Sequence, residues 1–146
     1  MSQSEKEEDL TNSPKRGGKI KWIVGGILML FAVAAAMNLP RGYSDDLLRI
    51  GQGTPAIVLI RDKNAVQTFD LMNAMDSVRS QYSGKVEFLL TDFNTADGRK
   101  FMEANQAGRA TLVFLDASGK QVNILGAPQT QGSLQKEITD SFGINP

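Results

Sequence analysis

The chain has 146 residues, and its 16 basic and 16 acidic side chains give a formal net charge of zero. This balance predicts neither a nucleic-acid footprint nor an attractor for acidic substrates. Because the sequence has no cysteine and no histidine, it excludes disulfides, thiolate metal sites, imidazole bases and cysteine or serine–histidine nucleophiles. The length accommodates one domain of about 100 residues and an appendage.

Residues 1–19 are polar and mixed in charge, and we predict that they form a disordered cytoplasmic tail. Residues 22–39 are uncharged and mainly apolar, and they would make roughly 27 Å of helix, close to the thickness of a bilayer core. We therefore predict a transmembrane signal anchor over residues 20–39. Lysine and arginine are concentrated on its N-terminal side, which predicts a cytoplasmic N-terminus and a periplasmic, lumenal or extracellular C-terminal domain.

Two other interpretations of this apolar run stay open. Ala34, Ala35 and Ala36 fit the small-residue pattern of a signal-peptide cleavage site, in which case the mature chain begins at Met37. A buried core helix is the second alternative. Residues 40–53 follow as a juxtamembrane linker, in which Ser44, Asp45 and Asp46 can cap a brief helix.

The remaining residues, 54–146, alternate strand and helix signals. A continuous apolar run at residues 56–60 predicts a strand buried on both faces, and mainly apolar segments at residues 86–91 and 111–115 predict two more strands. A turn at residues 116–119 leads to a fourth strand at residues 121–125. A strand–helix–strand crossover requires parallel pairing, whereas the terminal hairpin requires antiparallel pairing. The sequence therefore predicts an α/β fold whose mixed sheet of about four strands is covered by helices on both faces.

Three helices are predicted between these strands. The first spans residues 65–82, the second spans residues 98–106, and the third spans residues 133–142 with Ser133 as its N-cap. The spacing of apolar side chains in the first helix predicts an inward face made of Phe69, Met72, Met75, Val78 and Tyr82.

This order of elements resembles a thioredoxin-like domain. The resemblance rests on TPAIVLI before a helix-opening turn, on SGKVEFLLTDFNT, on RATLVFLDASGKQV and on the step at Leu125, Gly126 and Ala127 into the last helix. Members of this family that perform dithiol chemistry carry Cys-x-x-Cys where the long helix begins, since the helix dipole and free N–H groups there stabilise a thiolate. The family resemblance covers roughly residues 54–142.

The chain departs from the family at each position that handles thiol chemistry. Residues 65–68 read Ala-Val-Gln-Thr instead of Cys-x-x-Cys, and Ala110 stands where the family usually has a cis proline. We predict a trans bond before Ala110, because a cis bond before a non-proline residue costs about 2.5 to 4 kcal/mol. Leu59 and Leu90 match the family's buried acid and basic residue. The Thr68 hydroxyl has no neighbouring base, so an inward or capping role is expected.

The resemblance implies a candidate protein-binding face, because active relatives accept an extended substrate chain there. The basic members of this face could converge at one edge, and ordinary solvated charge is the alternative. The face comprises Arg61, Lys63, Asn64, Ala65, Val66, Gln67, Thr68, Arg109, Ala110 and Thr111.

We therefore expect a redox-inactive, membrane-anchored binding or assembly module rather than an enzyme. It would have no cofactor, no metal, no nucleic acid and no small-molecule substrate, and its partners would be the membrane and another membrane or extracytoplasmic protein. Two alternatives remain: a structural subunit of a larger membrane complex, and a redox participant that borrows a thiol or cofactor from a partner.

Overall fold

A computed structural model describes residues 17–38 and 42–146 of the chain. The first range is a helix, α1 (Gly17–Asn38), in which every side chain from residue 23 to residue 34 is exposed. No helix within the described ranges is both long enough and apolar enough to cross a membrane, so the predicted transmembrane span is not supported. Most of the predicted disordered tail, residues 1–16, lies outside the described ranges.

The second range belongs to a compact unit, Gly42–Pro146, built on one four-stranded sheet. A 3-10 turn at Leu47–Arg49 precedes its strands and helices. The elements are β1 (Ala56–Arg61), α2 (Val66–Arg79), β2 (Glu87–Asp92), α3 (Ala96–Ala104), β3 (Thr111–Leu115), β4 (Gln121–Gly126) and α4 (Gln131–Phe142).

The sheet confirms the predicted mixed topology. Its strand order is β2-β1-β3-β4, with β1 parallel to β2 and antiparallel to β3, and with β3 antiparallel to β4. Side chains alternate across β1, so Ile57 and Leu59 join a core cluster with α2 and α4, whereas Val58 and Ile60 join one with α3 and the 3-10 turn. Both faces of the sheet are therefore covered, which explains why β1 is apolar throughout.

The inward face predicted for α2 is confirmed except at Phe69: Met75, Val78 and Tyr82 are buried, and Met72 packs against the same core cluster. The buried residues are Thr68, Leu71, Ala74, Met75 and Val78, whereas Phe69 is 57% exposed. Positions 68 and 69 both fit the helical period at the start of α2, and Thr68 is the inward one, with its hydroxyl bonded to the preceding turn. The helix also ends at Arg79 rather than at residue 82.

The start of α4 also differs, because Thr130 rather than Ser133 is the N-cap. Ser133 is the third helical residue, and the two hydroxyls form a reciprocal capping box: Thr130 Oγ1 accepts from Ser133 N–H at 3.2 Å and Ser133 Oγ accepts from Thr130 N–H at 2.9 Å. The predicted N-cap, Ser133, is therefore wrong, because this residue is the third residue of the helix and the capping-box partner of Thr130.

Gly98 fixes how closely α3 approaches the end of β2. A Cβ atom at this position would lie 2.0 Å from the carbonyl oxygen of Asp92 and 3.0 Å from Thr95 Oγ1. Thr95 is the N-cap of α3, and its hydroxyl accepts from Gly98 N–H at 3.0 Å. Only glycine permits this cap and this approach together.

We predict that Gly98→Ala destabilises the chain by at least about 2 kcal/mol, because backbone atoms must move to admit the methyl group. Gly132→Ala in α4 is the matched control, since nothing lies within 4 Å of its Cβ position. That control should be neutral or stabilising by up to about 1 kcal/mol. Urea unfolding of the two variants measures the difference, and equal free energies of unfolding would contradict this packing.

Candidate functional site

The ten residues of the predicted face come together at the C-terminal end of β1. They lie at the last residue of β1 and in the turn after it, in the first turn of α2, and in the loop before β3 together with the first residue of that strand. The loop is tied to β1 by Ala110, whose N–H donates to the carbonyl oxygen of Ile60 at 2.9 Å. The parallel β1–β2 pair also ends here, with Arg61 opposite Asp92.

Thr68 organises the turn between β1 and α2. Its side chain is 1% exposed, and its Oγ1 accepts from Asp62 N–H at 3.1 Å. Asp62 in turn accepts from Asn64 N–H at 3.0 Å through Oδ1 and from Ala65 N–H at 3.1 Å through its carbonyl oxygen. The hydroxyl therefore has the inward role expected from the sequence, although it does not cap α2, and its contacts do not include a base that would activate it.

Asp92 at the end of β2 gathers the basic side chains of β1 and of the turn. Its Oδ2 lies 3.3 Å from Arg61 Nη2 and 3.3 Å from Lys63 Nζ, and its Oδ1 accepts from Asn94 N–H at 3.0 Å. The Asn94 N–H makes the largest contribution, and Lys63 and Arg61 add to it, so that the pKa of Asp92 falls to about 2. Asp92 is therefore ionised at every physiological pH.

Arg109 occupies the other side of the same edge. Its Nη1 lies 4.0 Å from Asp62 Oδ2, and its guanidinium carbon lies 4.1 Å from the centroid of the Phe93 ring. Three cations, Arg61, Lys63 and Arg109, thus face two carboxylates, Asp62 and Asp92, which leaves a net formal charge of +1. The basic residues do converge, but their charge is largely compensated within the site.

The backbone before β3 is trans where the thioredoxin-like family usually has a cis proline. Among the described residues the cis peptide bond is at Ala127–Pro128, so the bond between Arg109 and Ala110 is trans, as predicted. Ala110 adopts a positive φ of 50°, and Thr111 Oγ1 donates to the Gly108 carbonyl at 2.8 Å. Because the Ala110 N–H is bonded to Ile60, it is not free to pair with an incoming chain.

One feature of this face was not predicted from the sequence, namely an exposed apolar pair on the first turn of α2. Val66 is 71% exposed and Phe69 is 57% exposed, and their spacing of three places them on neighbouring positions of the helix surface. Val66 was assigned to the face, but Phe69 was assigned to the core. The sequence signal that could have shown Phe69 to be exposed is the threonine directly before it, because its hydroxyl can bond the preceding turn.

Comparisons with solved structures establish the fold. The chain is similar to an uncharacterised thioredoxin-like protein from Clostridium perfringens, with a TM-score of 0.56 and 14% identity over 62% of this chain and 72% of that one. It is similar to desulfothioredoxin from Desulfovibrio vulgaris Hildenborough, with a TM-score of 0.55 and 18% identity over 69% of this chain and 99% of that one. It is also similar to thioredoxin O2 from Arabidopsis thaliana, with a TM-score of 0.52 and 10% identity over 64% of this chain and 80% of that one.

The chain therefore has a thioredoxin-like fold and no cysteine. No protein-family model matches the sequence, and no curated protein matches it. Leu59 and Leu90, the positions of the two proton-handling groups in the family resemblance, are both buried in the core cluster beneath α2 and α4.

We predict that Asp92→Asn lowers stability at neutral pH by roughly 1 to 2 kcal/mol, because it removes a charge that bonds two cations. The pKa of Asp92 is lower in the folded chain than the ordinary value near 3.8. Its stabilising contribution is therefore complete above that value and is lost as pH falls towards 2. Urea unfolding from pH 7 to pH 2 should show a smaller acid dependence in Asp92→Asn, and an unchanged slope would contradict the assignment.

Proposed function

We propose that this chain is a redox-inactive thioredoxin-like domain that serves as a protein-binding or assembly module. The observation that carries the proposal is the exposed pair Val66 and Phe69, set on a helix turn that is already ordered by Thr68. The same turn has Ala65 and Thr68 where dithiol relatives are expected to have cysteines. An ordered apolar surface without a nucleophile favours docking over reaction.

The partner would dock through side chains rather than by adding a strand to the sheet. At the β2 edge, the Ser44 carbonyl accepts from Leu90 N–H at 2.9 Å and occupies part of that edge. At the β4 edge, Ile124 N–H donates to Asn123 Oδ1 at 2.8 Å, while Asn123 Nδ2 donates to Glu137 Oε1 at 2.5 Å. Blocked edges of this kind disfavour strand addition. The apolar pair on α2 is then the better surface for a partner.

The double variant Val66→Ser and Phe69→Ser tests the docking surface. We expect affinity isolation of the full-length chain, followed by quantitative mass spectrometry, to recover at least about tenfold less of its main partner with this variant, because apolar anchors dominate such interfaces. Val122→Ser is the matched control, since Val122 is also exposed but lies on β4. Equal loss of the partner in both variants, or loss in neither, would contradict the proposal.

We further propose that the module is held at a membrane, with its domain on the non-cytoplasmic side. No described helix meets the requirement for a span, so this proposal rests on the apolar run at residues 22–39, which extends past the described residues at its C-terminal end. Support comes from α1, where large apolar side chains including Leu28, Leu30 and Phe31 are exposed on all sides.

Extraction with alkaline carbonate tests the attachment. We expect the full-length chain to stay with the membranes, and the double variant Leu30→Asp and Phe31→Asp to be released, because charged side chains are costly in hydrocarbon. Val122→Asp, which adds a single charge outside α1, should stay with the membranes. Protease added from the cytoplasmic side should leave residues 42–146 intact. Release of the unaltered chain by carbonate would overturn the attachment without affecting the docking surface on α2.

A further inference from the structure

A second surface of the domain has the features of a docking groove, and it lies on the sheet face opposite α2. The groove runs between the 3-10 turn at Leu47–Arg49 and helix α3, with a volume of about 570 Å³. Its floor is apolar: Leu47 and Phe101 line it from the two sides, and both pack against the core cluster of that sheet face. It shares no lining residue with the face around α2.

Leu48 lies at the side of this groove and has an exposed apolar side chain. It is 83% exposed, although Leu47 before it and Ile50 after it are packed against the core. Its N–H donates to Asp46 Oδ1 at 3.1 Å and its carbonyl accepts from Gln52 Nε2 at 3.3 Å. The backbone of Leu48 is therefore held on both sides, which keeps this residue beside the groove.

The turn that carries Leu48 is also fastened to the sheet. Arg49 Nη2 lies 2.9 Å from Glu87 Oε1 at the start of β2. Ser44 pairs with β2 on the other side of the turn, through the bond from Leu90 N–H. Leu48 therefore lies on a turn that is anchored to the sheet at several points.

The rim of the groove carries an excess of negative charge. Asp45 and Asp46 lie on the turn and Asp97 lies on the first turn of α3, whereas Lys100 is the cation that lines the groove. Three carboxylates and one ammonium group give a net formal charge of −2. The carboxylates are not arranged for a metal ion, since the described part of the chain holds no metal-binding group of three or more acidic side chains. Cationic side chains from a partner complement this rim.

We propose that this groove docks a helical segment of a partner protein that carries one large apolar side chain between lysine or arginine residues. The apolar side chain enters between Leu48 and Phe101, and the flanking cations meet Asp45 and Asp97. This is helix-in-groove recognition, with an apolar anchor and charged neighbours. The surface is independent of the one on α2, so the domain can hold two partners or two parts of one partner.

Fluorescence anisotropy with two synthetic helical peptides tests the proposal on the purified full-length chain. Both peptides present a leucine face, flanked by lysine in one and by glutamate in the other. We expect the lysine peptide to bind at least about tenfold more tightly, with an affinity that falls as salt rises. Leu48→Ser and the double variant Asp45→Asn and Asp97→Asn should each weaken its binding about tenfold.

Two further variants separate docking from misfolding. Asp70→Asn is the matched control, because Asp70 is exposed on α2, and binding should be unchanged. Lys100→Glu should tighten binding of the lysine peptide severalfold, a gain that a damaged fold does not produce. Equal binding of the two peptides, or lysine-peptide binding that does not respond to Leu48→Ser and Lys100→Glu, would overturn the proposal.

Discussion

The carboxylate of Asp92 is the interaction on which this end of the domain depends. It bonds Arg61 from β1, Lys63 from the following turn and the N–H of Asn94, while the carbonyl oxygen of the same residue accepts from Thr95 Oγ1 at 2.7 Å. One residue therefore fastens the ends of both parallel strands and the cap of α3. The carbonyl oxygen of Asp92 is also the atom that a Cβ at position 98 would meet. Dithiol relatives are expected to have a reaction centre at this edge, whereas this chain has a junction of ion pairs and hydrogen bonds centred on Asp92.

This junction changes what the first turn of α2 can do. A site that stabilises a thiolate needs unpaired N–H groups and uncompensated positive charge. Here the cations face carboxylates, and Ala110 N–H is bonded to β1. The apolar side chains that are accessible on this turn are Val66 and Phe69. In the proposed function, this edge contributes contact area to a partner.

The fold was predictable from the sequence because its strongest signals are long and local. The apolar strand cores and the crossover rule gave the mixed sheet, and β3 at Thr111–Leu115 matched its predicted range. Periodicity predicted most of the inward face of α2, but it did not show that Phe69 is exposed, since positions 68 and 69 both fit the same period. Thr68 decided between them through a hydrogen bond to Asp62, a contact that depends on the turn's geometry. The neutralisation of basic side chains by Asp92 likewise depends on the strand register, which places Arg61 opposite Asp92.

The central claim is that the first turn of α2 binds another protein. A photoreactive amino acid at Gln67, an exposed residue between Val66 and Phe69, tests it directly in native membranes, with Lys136 on α4 as the comparison position. The account predicts a discrete crosslinked protein from position 67 and none from position 136. Crosslinks that arise from position 136 while position 67 gives none would contradict it.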